Sequence, residues 1–141
     1  MAARLQVRAL IWVGERIVVH RVTRRGRLYV TLPGGRVNDR ESVTDALRRE
    51  VLEEIGLNVE IGDLVFAAEV VSGARRQDVE LVFEARPCQT FEPAELILVD
   101  PGNPMCEVLP PVLDEVVRCA DSTRAGAKWL GNIYSPNIAV E

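Results

Sequence analysis

The stretch Gly35-Arg-Val-Asn-Asp-Arg-Glu41-Ser42-Val-Thr-Asp45-Ala-Leu-Arg-Arg49-Glu50-Val-Leu-Glu53-Glu54-Ile-Gly56-Leu57 decides how the rest of the chain is read. Ser42 is an N-cap residue, and Asp45 three positions on gives the capping-box pattern, in which two otherwise unpaired backbone donors are satisfied. Gly56 is the stop signal, so the spacing predicts a helix between Ser42 and Gly56. Glu50, Glu53 and Glu54 fall in its last turns.

A helix turns about 100° per residue, which puts Val43, Ala46, Leu47 and Val51 on one stripe. The same stripe continues through Glu50 and Glu54, so the inward face changes from apolar to anionic. Carboxylates at i and i+4 repel by a few tenths of a kcal/mol or more, and the negative end of the helix dipole adds to the penalty. A positive group is expected there. Clustered carboxylate oxygens suit hard divalent cations, and Mg²⁺ in particular is held by a few carboxylates together with substrate phosphates. A solvated face, with Arg49 and Glu53 as an ordinary i,i+4 pair, has the same periodicity, so pattern alone leaves both readings open.

The stretch resembles the Nudix box: Gly, five residues, Glu, seven residues, then Arg-Glu-aliphatic-x-Glu-Glu-x-Gly-aliphatic. Gly35, Glu41, Arg49, Glu50, Val51, Glu53, Glu54, Gly56 and Leu57 fill every defined position, and Leu32-Pro33-Gly34 is similar to the usual lead-in. Asn38 stands where an acid is frequent. Arg40 stands where glycine is frequent, a residue that tolerates positive φ.

The resemblance implies a hydrolase of the diphosphate linkage in nucleoside diphosphate derivatives, with Mg²⁺ or Mn²⁺ as cofactor. By position it makes Glu50 and Glu54 the principal metal ligands, Glu53 a further ligand or water-orienting group, and the Gly34 carbonyl a backbone ligand. Glu41 and Arg49 would hold the ligating carboxylates in place, a task metal sites generally need. Gly35 is carried over to the substrate side of the site. In relatives the group that activates water is often a glutamate on a later loop, and Glu95, with Glu92 in reserve, is the candidate here.

Outward from the box, 141 residues suit a single domain over residues 1–141, with room for one core. The formal charge of −4 and pI of about 5.1 argue against a polyanion-binding surface, which directs phosphate binding to local arginines and metal and excludes long nucleic acid as substrate. Cys88, Cys106 and Cys119 are widely spaced and odd in number, which reads as reduced thiols in a cytoplasmic protein. No run approaches the roughly 18 apolar residues that cross a bilayer, so no membrane partner is expected.

Before the box, Leu5, Val7 and Ala9 alternate with Arg4, Gln6 and Arg8 ahead of the apolar run Leu10 to Val13, a strand passing from half-buried to buried. Gly14-Glu15 marks a turn, and Arg16 to Val22 and Arg27 to Thr31 read as strands around the basic turn Thr23 to Gly26. After the box, Leu64 to Val71 and Val79 to Ala85 read as a strand pair joined by a polar loop from Ser72 to Asp78, a simple connection rather than a lid. Pro87 to Ala94 is a second loop and Leu96 to Val99 a short strand. Pro110-Pro111 opens a last helix through about Ala120, with Val112, Leu113, Val116 and Val117 as its stripe. The expected fold class is α/β: a Nudix-like α/β/α sandwich with a mixed β-sheet between the box helix and a C-terminal helix. Trp129 to Tyr134 is expected to dock on the core.

Arg8, Arg21 and Arg25 are candidates for clamping phosphate oxygens, where the guanidinium fork is bidentate, although strand faces exposed to water would hold arginines as well. His20 lies in an apolar strand pattern and reads as structural. Trp129 or Tyr29 could stack on a base. The partner is thus a small-molecule nucleotide. A nucleoside triphosphate or modified (d)NTP is favoured, because the Pro or Tyr that often follows the box in ADP-ribose and dinucleoside polyphosphate subgroups is missing between Asn58 and Arg86. ADP-ribose and dinucleoside polyphosphates stay as alternatives. A non-catalytic nucleotide sensor is the alternative of another class, against which the intact acidic set argues, and prenyl diphosphate isomerisation lacks a recognisable context around the cysteines. Family members are often homodimers, which makes a homodimer a candidate assembly.

Overall fold

In the computed structural model, residues 2–73, 76–120 and 126–134 are described. Their elements run β1 (Arg4–Leu10), β2 (Trp12–Val13), β3 (Arg16–Arg24), β4 (Arg27–Thr31), β5 (Gly34–Arg36), α1 (Val43–Ile55), β6 (Val59–Ser72), β7 (Arg76–Pro87), β8 (Ile97–Val99), α2 (Leu113–Cys119) and β9 (Lys128–Asn132). One sheet has the order β5-β1-β7-β6-β9. It is mixed, because β1 and β7 run parallel while β6 and β7 form a long antiparallel hairpin. In the second sheet β3 carries β2, β4 and β8.

Alternation along the strands sorts the core into two layers, since successive side chains point to opposite faces. Val7, Ala9, Ile11 and Val18 join Ala46, Leu47 and Val51 of α1 in one cluster. Leu10, Ile17, Val19, Phe66 and Val82 join Val112, Val116 and Cys119 around α2 in the other. This is the expected sandwich. The box helix forms as its local signals dictate: the Ser42 hydroxyl accepts from Asp45 N at 3.1 Å, and Gly56 ends the helix at φ 72°. The Asp45 carboxylate reaches Arg48 at 3.0 Å, so among the described residues one cap bond stands where the capping box implied two.

Several expectations need correction. The run Leu10 to Val13 is not one strand, because the chain changes sheets at Ile11. The hairpin strands are longer than their apolar stretches: Ser72 and Arg76 to Asp78, assigned to a loop, are paired, while Ala74 and Arg75 lie outside the described residues. The last helix begins at Leu113 rather than at the prolines. Its inward face is Val112, Glu115, Val116 and Cys119, and Val117 is 45% exposed, because Glu115 reaches Arg118 and Lys128 and is buried between them. Trp129 to Asn132 belong to β9, parallel to β6, and Trp129 is exposed. Arg40 adopts φ 65°, the conformation glycine would favour at that position.

Candidate active site

The geometry of the box starts at two glycines. Gly34 pairs with Arg8 across β1 and β5 at φ 148°, and a Cβ there would lie 1.9 Å from the Val7 carbonyl oxygen. Gly35 lies so close to α1 that a Cβ would stand 2.7 Å from the Glu50 carboxyl carbon. The bare backbone lets the helix carboxylates close onto β5. The Gly34 N–H then donates to Glu54 Oε1 at 3.0 Å, and Glu50 faces Gly35.

Arg49 fixes Glu50, with Glu41, from the solvent side. Its Nε and one terminal nitrogen donate to the two Glu41 oxygens at 2.8 and 2.9 Å, a bidentate pair, and its other terminal nitrogen donates to Glu50 at 2.9 Å. It also reaches the Arg36 carbonyl at 3.1 Å. The Arg49 bonds, with the Asn38 N–H, hold the Glu41 carboxyl down to about 2, and Glu41 in turn raises the Arg49 pKa. Glu53 touches Arg49 only at 3.4 Å and its side chain is 58% exposed, so it stands off the stripe that Glu50 and Glu54 share.

Glu54 is pushed up to about 7, foremost by burial and further by the Glu50 charge, against the lowering effect of the Gly34 N–H and Arg8. His20 Nε2 lies 3.2 Å from Glu54 Oε2. Burial and the Arg8 charge lower the His20 pKa, which disfavours the charged imidazole in this contact. His20 therefore stands at the site, not in the structural role its apolar pattern suggested.

Both acids close one end of a cleft of about 700 Å³, and Arg8, Arg21, Gly34 and Gly35 line it with them. Strand register lays out its floor on the α2 side. Arg4, Asp78 and Val70 form one row, Gln6, Glu80 and Ala68 the next, and Arg8, Val82 and Phe66 the third. Asp78 is fully buried between Arg4 at 2.8 Å and Arg76 at 2.9 Å, so a paired carboxylate holds two guanidinium groups at the cleft. Tyr29 and Thr31 of β4, with Leu109 and Pro110, form the facing wall. Leu109 is held to β4 by hydrogen bonds that join Val30 to Glu107 and Leu109.

Arg8 also donates to the carbonyls of Leu32 and Gly34, each at 3.3 Å. Arg25, in the β3–β4 turn, lies outside the cleft lining, and so do the exposed Trp129 of β9 and Glu92 ahead of the later loop turn. Glu95 is exposed in a 3₁₀ turn (Pro93–Glu95) ahead of β8 and is likewise absent from the lining. The pairing of Val19 with Ile97 nevertheless leads its segment toward the His20–Arg21 end of β3.

Glu80 and Asp78 were not singled out by sequence, since an acid in a strand reads as a surface residue. The available signal was phase: Asp78 and Glu80 share the alternation of buried Val82, as Arg4, Gln6 and Arg8 share that of buried Leu10. As a cation site, Glu50 and Glu54 present hard, partly buried carboxylate oxygens, which fits an ion that uses one or two carboxylates plus phosphate and water. No cluster of three His, Cys, Asp or Glu side chains is arranged for metal binding among the described residues, consistent with Glu53 standing apart.

The family model of the NUDIX domain matches residues 3–102. No curated protein matches in the corresponding sequence comparison. Among solved structures, an ADP-ribose pyrophosphatase from Streptococcus suis superposes with a TM-score of 0.70 at 20% identity, covering 91% of this chain and 99% of that one. The ORF135 protein of E. coli gives 0.68 at 20% identity over 88% and 96%. A NUDIX hydrolase from Nitrosomonas europaea gives 0.72 at 17% identity over 94% and 81%. At such identities the likeness is one of fold. No helix among the described residues is long and apolar enough to cross a membrane.

Proposed function

This chain belongs to the Nudix hydrolases, enzymes that cleave diphosphate linkages in small nucleoside diphosphate derivatives with the help of divalent cations, and we propose that its substrate is a nucleoside triphosphate or modified (d)NTP. The observation that carries the hydrolase reading is the closure of Glu50 and Glu54 onto Gly34 and Gly35 at the end of an arginine-lined cleft, and the choice of a triphosphate rests on the Pro or Tyr missing between Asn58 and Arg86. The cation, Mg²⁺ or Mn²⁺, would be held by Glu50 and Glu54 with the Gly34 carbonyl, and Glu53 would serve as a further ligand or water-orienting group. When bound it neutralises charge on the non-bridging phosphate oxygens and acidifies a coordinated water.

The protein's own groups do the positioning. Glu41 and Arg49 lock Glu50, and Arg8 and Arg21 receive phosphate oxygens with their forked donors. Water oxygen bonds to phosphorus as the bridging P–O bond breaks, and the water's proton leaves through a carboxylate. From a triphosphate the products are a nucleoside monophosphate and diphosphate. Glu53 is the favoured water-orienting group, because it stands on α1 one residue before Glu54 with its carboxylate turned to solvent. Glu95 is the rival from the loop.

A turnover screen with Mg²⁺ and then Mn²⁺ tests the proposal over nucleoside triphosphates, oxidised nucleotides, ADP-ribose, dinucleoside polyphosphates and NADH, with Glu54→Gln as control. A preferred triphosphate, lost in the control, supports it. Preference for ADP-ribose or a dinucleoside polyphosphate replaces the substrate, and binding without turnover across the panel replaces the enzyme with a sensor.

A further inference from the structure

On the cleft floor Glu80 is a buried carboxylate with an unused oxygen. Its side chain is 4% exposed, and its partner among the described residues is Arg8 Nε, 3.5 Å from Oε2, at the long limit of a hydrogen bond. Oε1 has no partner among those residues. Beside it across the parallel β1–β7 pairing stands Gln6, whose carboxamide is likewise without a hydrogen-bond partner among the described residues. Both side chains line the cleft that ends at Glu50 and Glu54, and Glu80 also borders the apolar recess of Phe66, Ala68, Leu109 and Pro110.

A buried acceptor left unsatisfied costs free energy, so in a ligand site it selects for a donor. We propose that Glu80 and Gln6 read the nucleobase and that the base is of the guanine type. A guanine edge offers a ring N–H and an adjacent amino group, two neighbouring donors that a carboxylate accepts together, followed by a carbonyl that the Gln6 amide can meet. Adenine and cytosine place a ring-nitrogen lone pair beside their amino group, and uracil flanks its single N–H with two carbonyls. Each of these sets an acceptor against the Glu80 charge. Tyr29 with Leu109 and Pro110 supplies the apolar wall against which a planar base can lie. The inference rests on the nucleotide hydrolase reading of the cleft and adds to it the base and the residues that choose it.

Binding of nucleoside monophosphates without metal separates the two. Calorimetric titration of the intact protein with GMP, IMP, AMP and UMP should give GMP the tightest Kd, by about tenfold or more over AMP and UMP, since a site built around hydrogen bonds rejects ligands that leave its groups unpaired. IMP lacks the amino group and should fall between. Glu80→Gln should bring GMP and AMP to within about threefold of each other, since a bidentate contact to a base edge gives about 1–3 kcal/mol of discrimination, or roughly 5- to 150-fold. Equal affinities in the wild type, no GMP binding at millimolar concentration, or a GMP preference untouched by Glu80→Gln would each overturn the assignment. The IMP comparison needs no variant and so survives a Glu80→Gln protein that fails to fold. Turnover of triphosphates without base preference removes this inference and leaves the hydrolase standing, whereas selective GMP binding with no turnover of any nucleotide does the reverse.

Discussion

Arg49 spans the Glu41 carboxylate with two parallel hydrogen bonds of 2.8 and 2.9 Å while a third nitrogen reaches Glu50 at 2.9 Å. One rigid fork thus fixes a carboxylate proposed to hold the cation.

Arg49→Lys tests that coupling. A lysine ammonium keeps the charge but cannot span Glu41 and hold Glu50 at once. Turnover should fall by about 10- to 100-fold with weaker Mg²⁺ affinity, the scale seen when groups supporting metal ligands are lost. The melting temperature should change little, because Arg49 is partly exposed. Steady-state rates against Mg²⁺ concentration check this, and an unchanged metal dependence would return Arg49 to a surface role.

Glu54→Gln should abolish turnover at any pH, and its effect on stability should depend on pH. The Glu54 carboxyl is raised from 4.5 to about 7 in the folded protein, so the folded state holds its proton more tightly than the unfolded chain. Stability from that proton is fully present below 4.5 and is lost as pH rises through about 7. Relative to wild type without metal, the variant should therefore melt at a similar temperature near pH 4.5 and higher above pH 7. His20 shifts the other way and opposes Glu54 in the wild-type curve, so the informative quantity is the difference between the two proteins. A difference independent of pH, or normal turnover, would remove Glu54 from its assigned place.

The water-orienting group is tested by Glu53→Gln and Glu95→Gln side by side. Glu53 lies on α1 one residue before Glu54 with its carboxylate 3.4 Å from Arg49, Glu95 lies in the 3₁₀ turn ahead of β8, and neither lines the cleft. Loss of a general base or its equivalent lowers kcat by about 10²- to 10⁴-fold. Glu53→Gln should show that loss with KM nearly constant, and Glu95→Gln a change of less than about tenfold. The reverse order would assign the task to the loop and require it to close over the substrate.

What the sequence made legible was local. The cap at Ser42, the stop at Gly56 and the stripe ending in Glu50 and Glu54 depend on neighbours a few residues apart, and all three stand in the structure. Strand lengths in the β6–β7 hairpin did not, because the polar end from Arg76 to Asp78 is kept in the sheet by the ion pairs of Asp78 with Arg76 beside it and with the distant Arg4 rather than by its own hydropathy. Val117 was misplaced for a similar reason: Glu115 takes the inward position through ion pairs with Arg118 and Lys128. The cleft floor depends on β1 and β7 lying side by side, which no local pattern specifies. Gln6 and Glu80 meet only because strands more than seventy residues apart are paired.

The two glycines at the start of the box should respond differently to the same added methyl group. In Gly34→Ala the Cβ meets backbone, 1.9 Å from the Val7 carbonyl oxygen and 2.8 Å from Arg8 Cα, at a φ of 148° that side-chain-bearing residues rarely adopt. Backbone of a paired strand cannot step aside, so the variant should lose about 3 kcal/mol or more, measured by denaturant unfolding. In Gly35→Ala the methyl meets only the end of a flexible side chain, the Glu50 carboxylate at 2.7 to 2.9 Å, and φ at this position lies in the ordinary range. Glu50 can rotate away, so stability should stay within about 1 kcal/mol of wild type. Turnover should nonetheless fall by about 100-fold, because a shift of about 1 Å in a positioned group can cost that much. A Gly35→Ala protein with normal turnover would mean that Glu50 need not stand where it does, and the assignment of Glu50 as a principal ligand would fall with it.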